Sequence, residues 1–256
     1  MKCIGISFSS VNFIAISLFS SPMKLVKEIK ESLLHLVFPH TCEGCGSDVL
    51  ENDSYLCLHC LTSLPQTDFH LYKDNPLEKL FWGRLPVNCA TASYFFTKKS
   101  LIQHLMHQFK YRGHKELGRY LGRLMGYALA ESGRFSLIDV LMPIPLSVLK
   151  EKKRGFNQAA VLCEGIADVW SRPIISQAVT RNTHTESQTR KNRIERWQNM
   201  EGRFELINPN AIKGKHVLLV DDVITTGATL EACGRAISGA EKIQLSMAAL
   251  CFSSGN

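Results

Sequence analysis

The sequence predicts an α/β fold: a parallel sheet flanked by helices, preceded by a small four-cysteine module. Three observations predict it. Segments with a helical apolar period alternate with short β-branched runs, the pattern of strands joined by crossover helices. One such run, Val217 to Val220, is continuously apolar, as expected of a strand covered on both faces. Near the N-terminus, Cys42-x2-Cys45-x11-Cys57-x2-Cys60 sets two CxxC knuckles across a short loop.

In chain order, residues 1–22 form an apolar, serine-rich extension after Lys2 that resembles a weak signal peptide. The run is too short and too serine-rich for a membrane span, and Ser20-Ser21-Pro22 makes a poor cleavage site, so no stable membrane insertion is expected. Met23 opens a clean amphipathic pattern with Leu25, Val26, Ile29, Leu33, Leu34, Leu36 and Val37 on one face, predicting a helix over 23–38 and marking Met23 as the expected start. The cysteine module follows over 39–62. Residues 63–88, with Pro65, Pro76, Gly83 and Pro86, read as a connector.

The main domain occupies 89–256. Ala90 to Thr97 reads as a strand, Ser100 to Lys110 and Leu117 to Leu129 as helices, Ile138 to Met142 as a strand and Asn157 to Trp170 as a helix. Further strands are expected at 173–179, 203–207 and 243–251, and a helix from Leu230 to Ser238.

At 256 residues the chain can bury a substantial core. A formal charge of +7 and a pI near 8.9 favour anionic partners without singling out nucleic acid. Of nine cysteines, five are scattered and read as small buried apolar residues. The four in knuckles can surround Zn²⁺ as thiolates, with Gly44 and Gly46 easing the first turn; two disulfides in an exported protein are the alternative. Four sulfurs leave no open position, so such a zinc folds its segment and does not catalyse. His40 and His59 are bystanders.

The run VLLVDDVITTGAT, Val217 to Thr229, carries the chemistry. Asp221 and Asp222 close a strand at the end where open α/β sheets place ligands, and alternation sends them to opposite faces, so they do not share a proton as a close pair. Thr225, Thr226, Gly227, Ala228 and Thr229 then form a turn of small residues opening a helix, where free N–H groups and the helix dipole hold an anion. The order suits a sugar phosphate whose diol meets the acids. Three basic stretches accompany it: FKYRG from Phe109, PIPLSVLKEKKRGFNQ from Pro143, and residues 181–203, with six Arg/Lys against three Glu. The second follows a strand end, which makes Lys152, Lys153 and Arg154 candidates to neutralise a pyrophosphate.

Residues 217–229 are similar at every position to the PRPP-binding motif of type I phosphoribosyltransferases. With the knuckle pair, FKYRG, PIP followed by RGFNQ, and Arg181-x-Thr183 with Gln188 and Arg193, the chain from Met23 onward resembles the ComF family. That resemblance implies a type I phosphoribosyltransferase-like fold behind a zinc-ribbon-like module. It implies that Asp221 and Asp222 bind the ribose hydroxyls and Thr225 to Thr229 the 5′-phosphate. It also places a pyrophosphate loop after Ile144-Pro145, and a mobile loop at 181–200 containing Arg181, Gln188 and Arg193. Mg²⁺ is expected to arrive with PRPP, held mainly by substrate oxygens.

Two functions follow from the resemblance. One is a cytoplasmic, PRPP-binding protein of DNA uptake in natural transformation, with single-stranded DNA and other competence proteins as partners; Tyr111, Phe156 and Trp197 are candidate stacking platforms, although each taken singly is more ordinary as a packed aromatic. The other is an active transferase that passes the phosphoribosyl group to a nitrogenous acceptor. No base-specificity pocket and no catalytic triad is legible.

Overall fold

The computed structural model describes residues 41–48, 50, 54–182 and 204–253, which fall in a compact unit, Thr41–Asn256. The extension at 1–22, the helix expected over 23–38, Gln188, Arg193 and Trp197 lie outside the described residues. Among the described residues, no helix is long and apolar enough to cross a membrane.

The elements run α1 (Leu58–Thr62), α2 (Pro76–Phe81), β1 (Ala90–Phe95), α3 (Leu101–Tyr111), α4 (Lys115–Glu131), β2 (Val140–Pro143), α5 (Val148–Arg154) and α6 (Gln158–Val169). They continue with β3 (Val179–Arg181), β4 (Phe204–Leu206), β5 (His216–Ile224), α7 (Ala228–Ile237) and β6 (Gln244–Phe252). The main sheet has the order β1-β6-β5-β2, and every pairing is parallel. Its two central strands are buried along most of their length, as the unbroken apolar run of β5 requires.

Side chains of β5 alternate between two cores. Leu218 and Val220 pack with α3, α4 and α6, while Val217 and Leu219 pack with α2 and α7 on the other face. Helices α4 and α6 touch backbone to backbone: a Cβ on Gly165 would lie 2.1 Å from the Arg119 carbonyl oxygen, and one on Gly122 would lie 2.5 Å from that of Leu162. The contact is closed outside by a two-pronged Arg119–Asp168 pair at 2.6 Å.

Two sequence expectations shift. The connector at 63–88 contains helix α2, started by Asn75, whose side-chain oxygen accepts from the N–H groups of Leu77 and Glu78 with Pro76 in the first turn. The strand expected over 173–179 is instead one isolated bridge, Leu141 to Ile174, followed by β3, which pairs antiparallel with β4 away from the main sheet. Pro173 lacks the N–H a strand there would need, and its carbonyl accepts from Leu141 instead. The β3–β4 ladder sets Arg181 opposite Phe204.

Candidate functional site: an acid pair, an anion loop and a thiol cluster

Strand β5 delivers the acids. Asp221 and Asp222 lie at its C-terminal end, half-buried, and the alternation of the strand turns them apart. Asp222 faces α3: Lys110 Nζ stands 2.9 Å and Arg154 Nη1 3.8 Å from its Oδ2. Asp221 instead lines a small cavity with Val223 to Leu230. Burial first, then the Asp222 charge, pushes the Asp221 carboxyl up to about 7, against the pull of the Asp222 N–H, Lys110 and Arg181. Two adjacent acids thus have different jobs. One is a salt-bridged anion; the other is poised to lose its proton near neutrality.

A raised carboxyl has a definite stability signature. The native state holds the Asp221 proton through a pH range in which the unfolded chain has released it, so stability falls as pH climbs from about 4 through about 7. Asp221→Asn is expected to flatten that slope, gaining on the order of 1 kcal/mol relative to the parent at pH about 8 after allowance for partial exposure. Urea unfolding at several pH values reads this out. Parallel curves for parent and variant would show that Asp221 ionises normally.

The Thr/Gly turn follows. Thr225 and Thr226 are exposed, and Gly227 caps α7 with φ 71°, a left-handed conformation that favours glycine. A Cβ there would also come within 3.0 Å of both Leu80 and Phe81, so this glycine answers two constraints. Gly227 offers no side-chain cap to the first turn of α7, where the Ala228 N–H meets Thr226 Oγ1 at 3.5 Å. Arg84, from the connector, braces the loop: its Nη1 donates to the Thr226 carbonyl at 3.1 Å, and its Nε donates to Glu231 at 3.0 Å. Burial works against the Glu231 charge, but Arg235 and Arg84 prevail and hold its carboxyl below the usual range.

The segment after β2 comes to the same end of the sheet. Ile144 donates its N–H to the Val220 carbonyl, and the Asn157 side chain donates to the Ile144 carbonyl at 2.9 Å while capping α6 by accepting from Ala159. Gly155, at φ 81°, ends α5 and lets the chain turn back. These bonds explain RGFNQ after PIP: glycine reverses the chain and asparagine ties the loop. Ser147 Oγ in this loop is buried and has no hydrogen-bond partner among the described residues, an orphan that a ligand oxygen would satisfy.

Of the basic candidates, the structure brings Arg154 to the acids, where Gln158 Oε1 steadies it at 2.7 Å. Lys152 and Lys153 sit exposed on α5 with no ion pair among the described residues. Arg181 lies with its guanidinium 5.5 Å from the Phe204 ring centre. Tyr111 is exposed as a stacking platform must be, but Phe156 is not: it is buried against Phe109 at 5.7 Å, with Lys115 over its ring. Sequence reasoning missed Lys110, Arg84, Ser147 and Asn157. Lys110 left a trace within FKYRG, and Ser147 and Asn157 within PIPLSVLKEKKRGFNQ; Arg84 left none.

The four knuckle cysteines cluster, with every Sγ within 4.8 Å of the others. Tetrahedral Zn²⁺ with bonds of about 2.3 Å requires sulfurs about 3.8 Å apart, and Cys45 and Cys57 stand at 3.7 Å. Burial opposes a charge on Cys42, but N–H groups of Cys57, Cys45 and Gly44 outweigh it and hold this thiol down at about 6, ready to bind as thiolate. Burial and its neighbouring thiols push Cys60 the other way, which a bound cation reverses. All eight described cysteines are free thiols. The donor set therefore fits a metal ion such as zinc.

Comparison with known proteins agrees with this geometry. Residues 142–254 match the family described as "Phosphoribosyl transferase domain". The chain is 28% identical over 225 residues to competence protein F of Haemophilus influenzae, covering 83% of this chain and 91% of that protein. It is 30% identical over 210 residues to the DNA utilization protein YhgH of Escherichia coli K12, covering 80% of this chain and 87% of the other. The chain belongs to the ComF family. ComFC of Bacillus subtilis is also similar, 32% identical over 147 residues, covering 56% of this chain and 55% of that one. Within this ComF chain, the family match starts at Met142 in β2 and takes in both the Ile144 loop and the acid pair. Lys110, which pairs with Asp222, lies upstream of it.

Proposed function

We propose that the chain binds PRPP with Mg²⁺ at the acid pair and serves DNA uptake in natural transformation. One observation carries the ligand: Asp221 opens into a cavity walled by Thr225 to Thr229, while Lys110 and Arg154 gather on the far side of Asp222. The ribose hydroxyls lie at the acids, the 5′-phosphate on the first-turn amides of α7, and the pyrophosphate by Arg154 and the Ser147 loop. Mg²⁺ is carried by the substrate's own oxygens, because among the described residues the site offers it two acids, one of them already salt-bridged. The DNA role is supported by the names of the relatives, competence protein F and DNA utilization protein YhgH. Lys152, Lys153 and exposed Tyr111 are the surface for a single strand. A cytoplasmic setting suits both PRPP and a zinc held by thiolates.

Calorimetry on the full chain with Mg²⁺ and PRPP tests the ligand. A saturable heat at about one site per chain is expected, and its absence at neutral pH rejects the reading.

A second reading, active phosphoribosyl transfer to a nitrogenous acceptor, is favoured by the transferase domain match. The chemistry needs charge neutralisation on departing pyrophosphate, and Lys110 and Arg154 supply it without a triad. Sustained pyrophosphate release with an added base or amine separates this reading from binding alone.

A further inference from the structure

Helix α3 stands between the thiol cluster and the acid pair. Residues two apart on a helix project about 200° apart, and α3 uses this. Gln108, 5% exposed, faces the first knuckle, and its Nε2 donates to the Glu43 carbonyl at 3.0 Å and to His104 Nε2 at 2.9 Å. Lys110, two residues on, faces β5 and holds Asp222. Beyond the helix, His114 Nδ1 comes to 3.5 Å from Glu43 Oε1. Glu43 thus grips the α3–α4 corner on both sides of Lys110. Glu43 itself lies between Cys42 and Cys45, and a Cβ on the next residue, Gly44, would stand 2.8 Å from Cys60 Sγ and 2.9 Å from Leu101 of α3. No slack exists between knuckle and helix.

We propose that the first cysteine knuckle positions Lys110 at the acid pair, so that metal occupancy of the four-cysteine site and the state of the Lys110–Asp222 pair are thermodynamically coupled. A metal held by Cys42 and Cys45 would fix the turn between them; through Glu43 that turn holds Gln108 and His114, and the corner between these two aims the ammonium. Its meaning for ligand affinity rests on the phosphoribosyl reading above; the coupling itself does not. Coupling is reciprocal: whatever the knuckle does for the pair, the pair does for the knuckle.

Zinc transfer from the full-length zinc-loaded protein to a chromophoric chelator measures it directly. Lys110→Met and Gln108→Met are each expected to release zinc about fivefold more readily than the parent. Lys213→Met, which removes an exposed pair with Glu241, should match the parent. In calorimetry with Mg²⁺ and PRPP, both variants should bind more weakly, and the Gln108→Met effect should disappear in the Lys110→Met background. Zinc release unchanged by Lys110→Met overturns the coupling, as do fully additive effects on PRPP affinity. If Gln108→Met fails to fold, Lys110→Met, at a partly exposed site, still decides through zinc release. If the parent takes up no PRPP, the phosphoribosyl reading falls, while the zinc arm still decides the coupling.

Discussion

Cys42→Ser is expected to abolish zinc binding at the four-cysteine cluster and lower the melting temperature by about 10 °C. The serine keeps an acceptor for the N–H groups of Cys57 and Gly44, which bond Cys42 Sγ at 3.2 and 3.4 Å, so local packing is preserved and metal ligation alone is lost. Zinc in small four-ligand modules is worth about 10 kcal/mol or more. Here the module is not on its own: Cys42, Leu56, Cys57, Cys60 and Leu64 belong to the same apolar core as α3 and α4, and Ser54 meets the Tyr120 hydroxyl at 3.2 Å. That packing survives metal loss and reduces the net cost to about 4 kcal/mol, which in a domain of this size corresponds to about 10 °C. Elemental analysis should find about one zinc per chain in the parent and almost none in the variant. A chelator should bring the parent down to the variant's melting curve and leave the variant unmoved. Equal melting of both proteins, with no zinc in the parent, would return the cluster to an ordinary set of buried thiols.

Asp222→Asn is expected to weaken Mg²⁺-dependent PRPP binding by about 30-fold, and Asp221→Asn by less. A charge-assisted hydrogen bond to a hydroxyl contributes about 1.5 to 3 kcal/mol, and roughly 1.4 kcal/mol is a factor of ten. The amide introduced by Asp222→Asn would also face two cations, Lys110 at 2.9 Å and Arg154 at 3.8 Å, that the carboxylate now balances. Two tendencies compete, because freeing those cations strengthens their attraction for pyrophosphate. The lost acceptor and the misoriented cations outweigh this gain, since an ammonium without its anchor no longer points at the ligand. Asp221, pushed up to about 7, is about half protonated in the free protein near neutral pH, so asparagine imitates one of its two resting forms. Calorimetry on both variants gives the ranking. Equal affinity for parent and Asp222→Asn would remove Asp222 from the ribose site.

Much of this was legible in single residues. The apolar run into Asp221-Asp222, the small-residue turn and the CxxC spacings each encode geometry within a few residues, and the structure builds a strand, a left-handed Gly227 and a sulfur cluster from them. Opposite facing of the two acids followed from strand alternation alone. The expectations that moved were those resting on distant partners. The sequence left Phe156 open to stacking or packing, and Phe109 covers it. The connector looked structureless, yet Arg84 reaches from it to Thr226 and Glu231. Arg154 and its neighbours Lys152 and Lys153 read alike in sequence, but only the first reaches Asp222.

By itself, then, the sequence determined the α/β class, the strand that carries the acids, the small-residue turn, the pairing of the two cysteine knuckles and the family, because strand periodicity, glycine conformation and cysteine spacing are local properties of the chain. Tertiary structure alone decided that Lys110 neutralises Asp222, that Asp221 keeps a proton to near neutrality and that Glu43 grips α3. Charge pairing and burial depend on which segments the sheet and helices bring together across long stretches of chain, and no short window of residues records that.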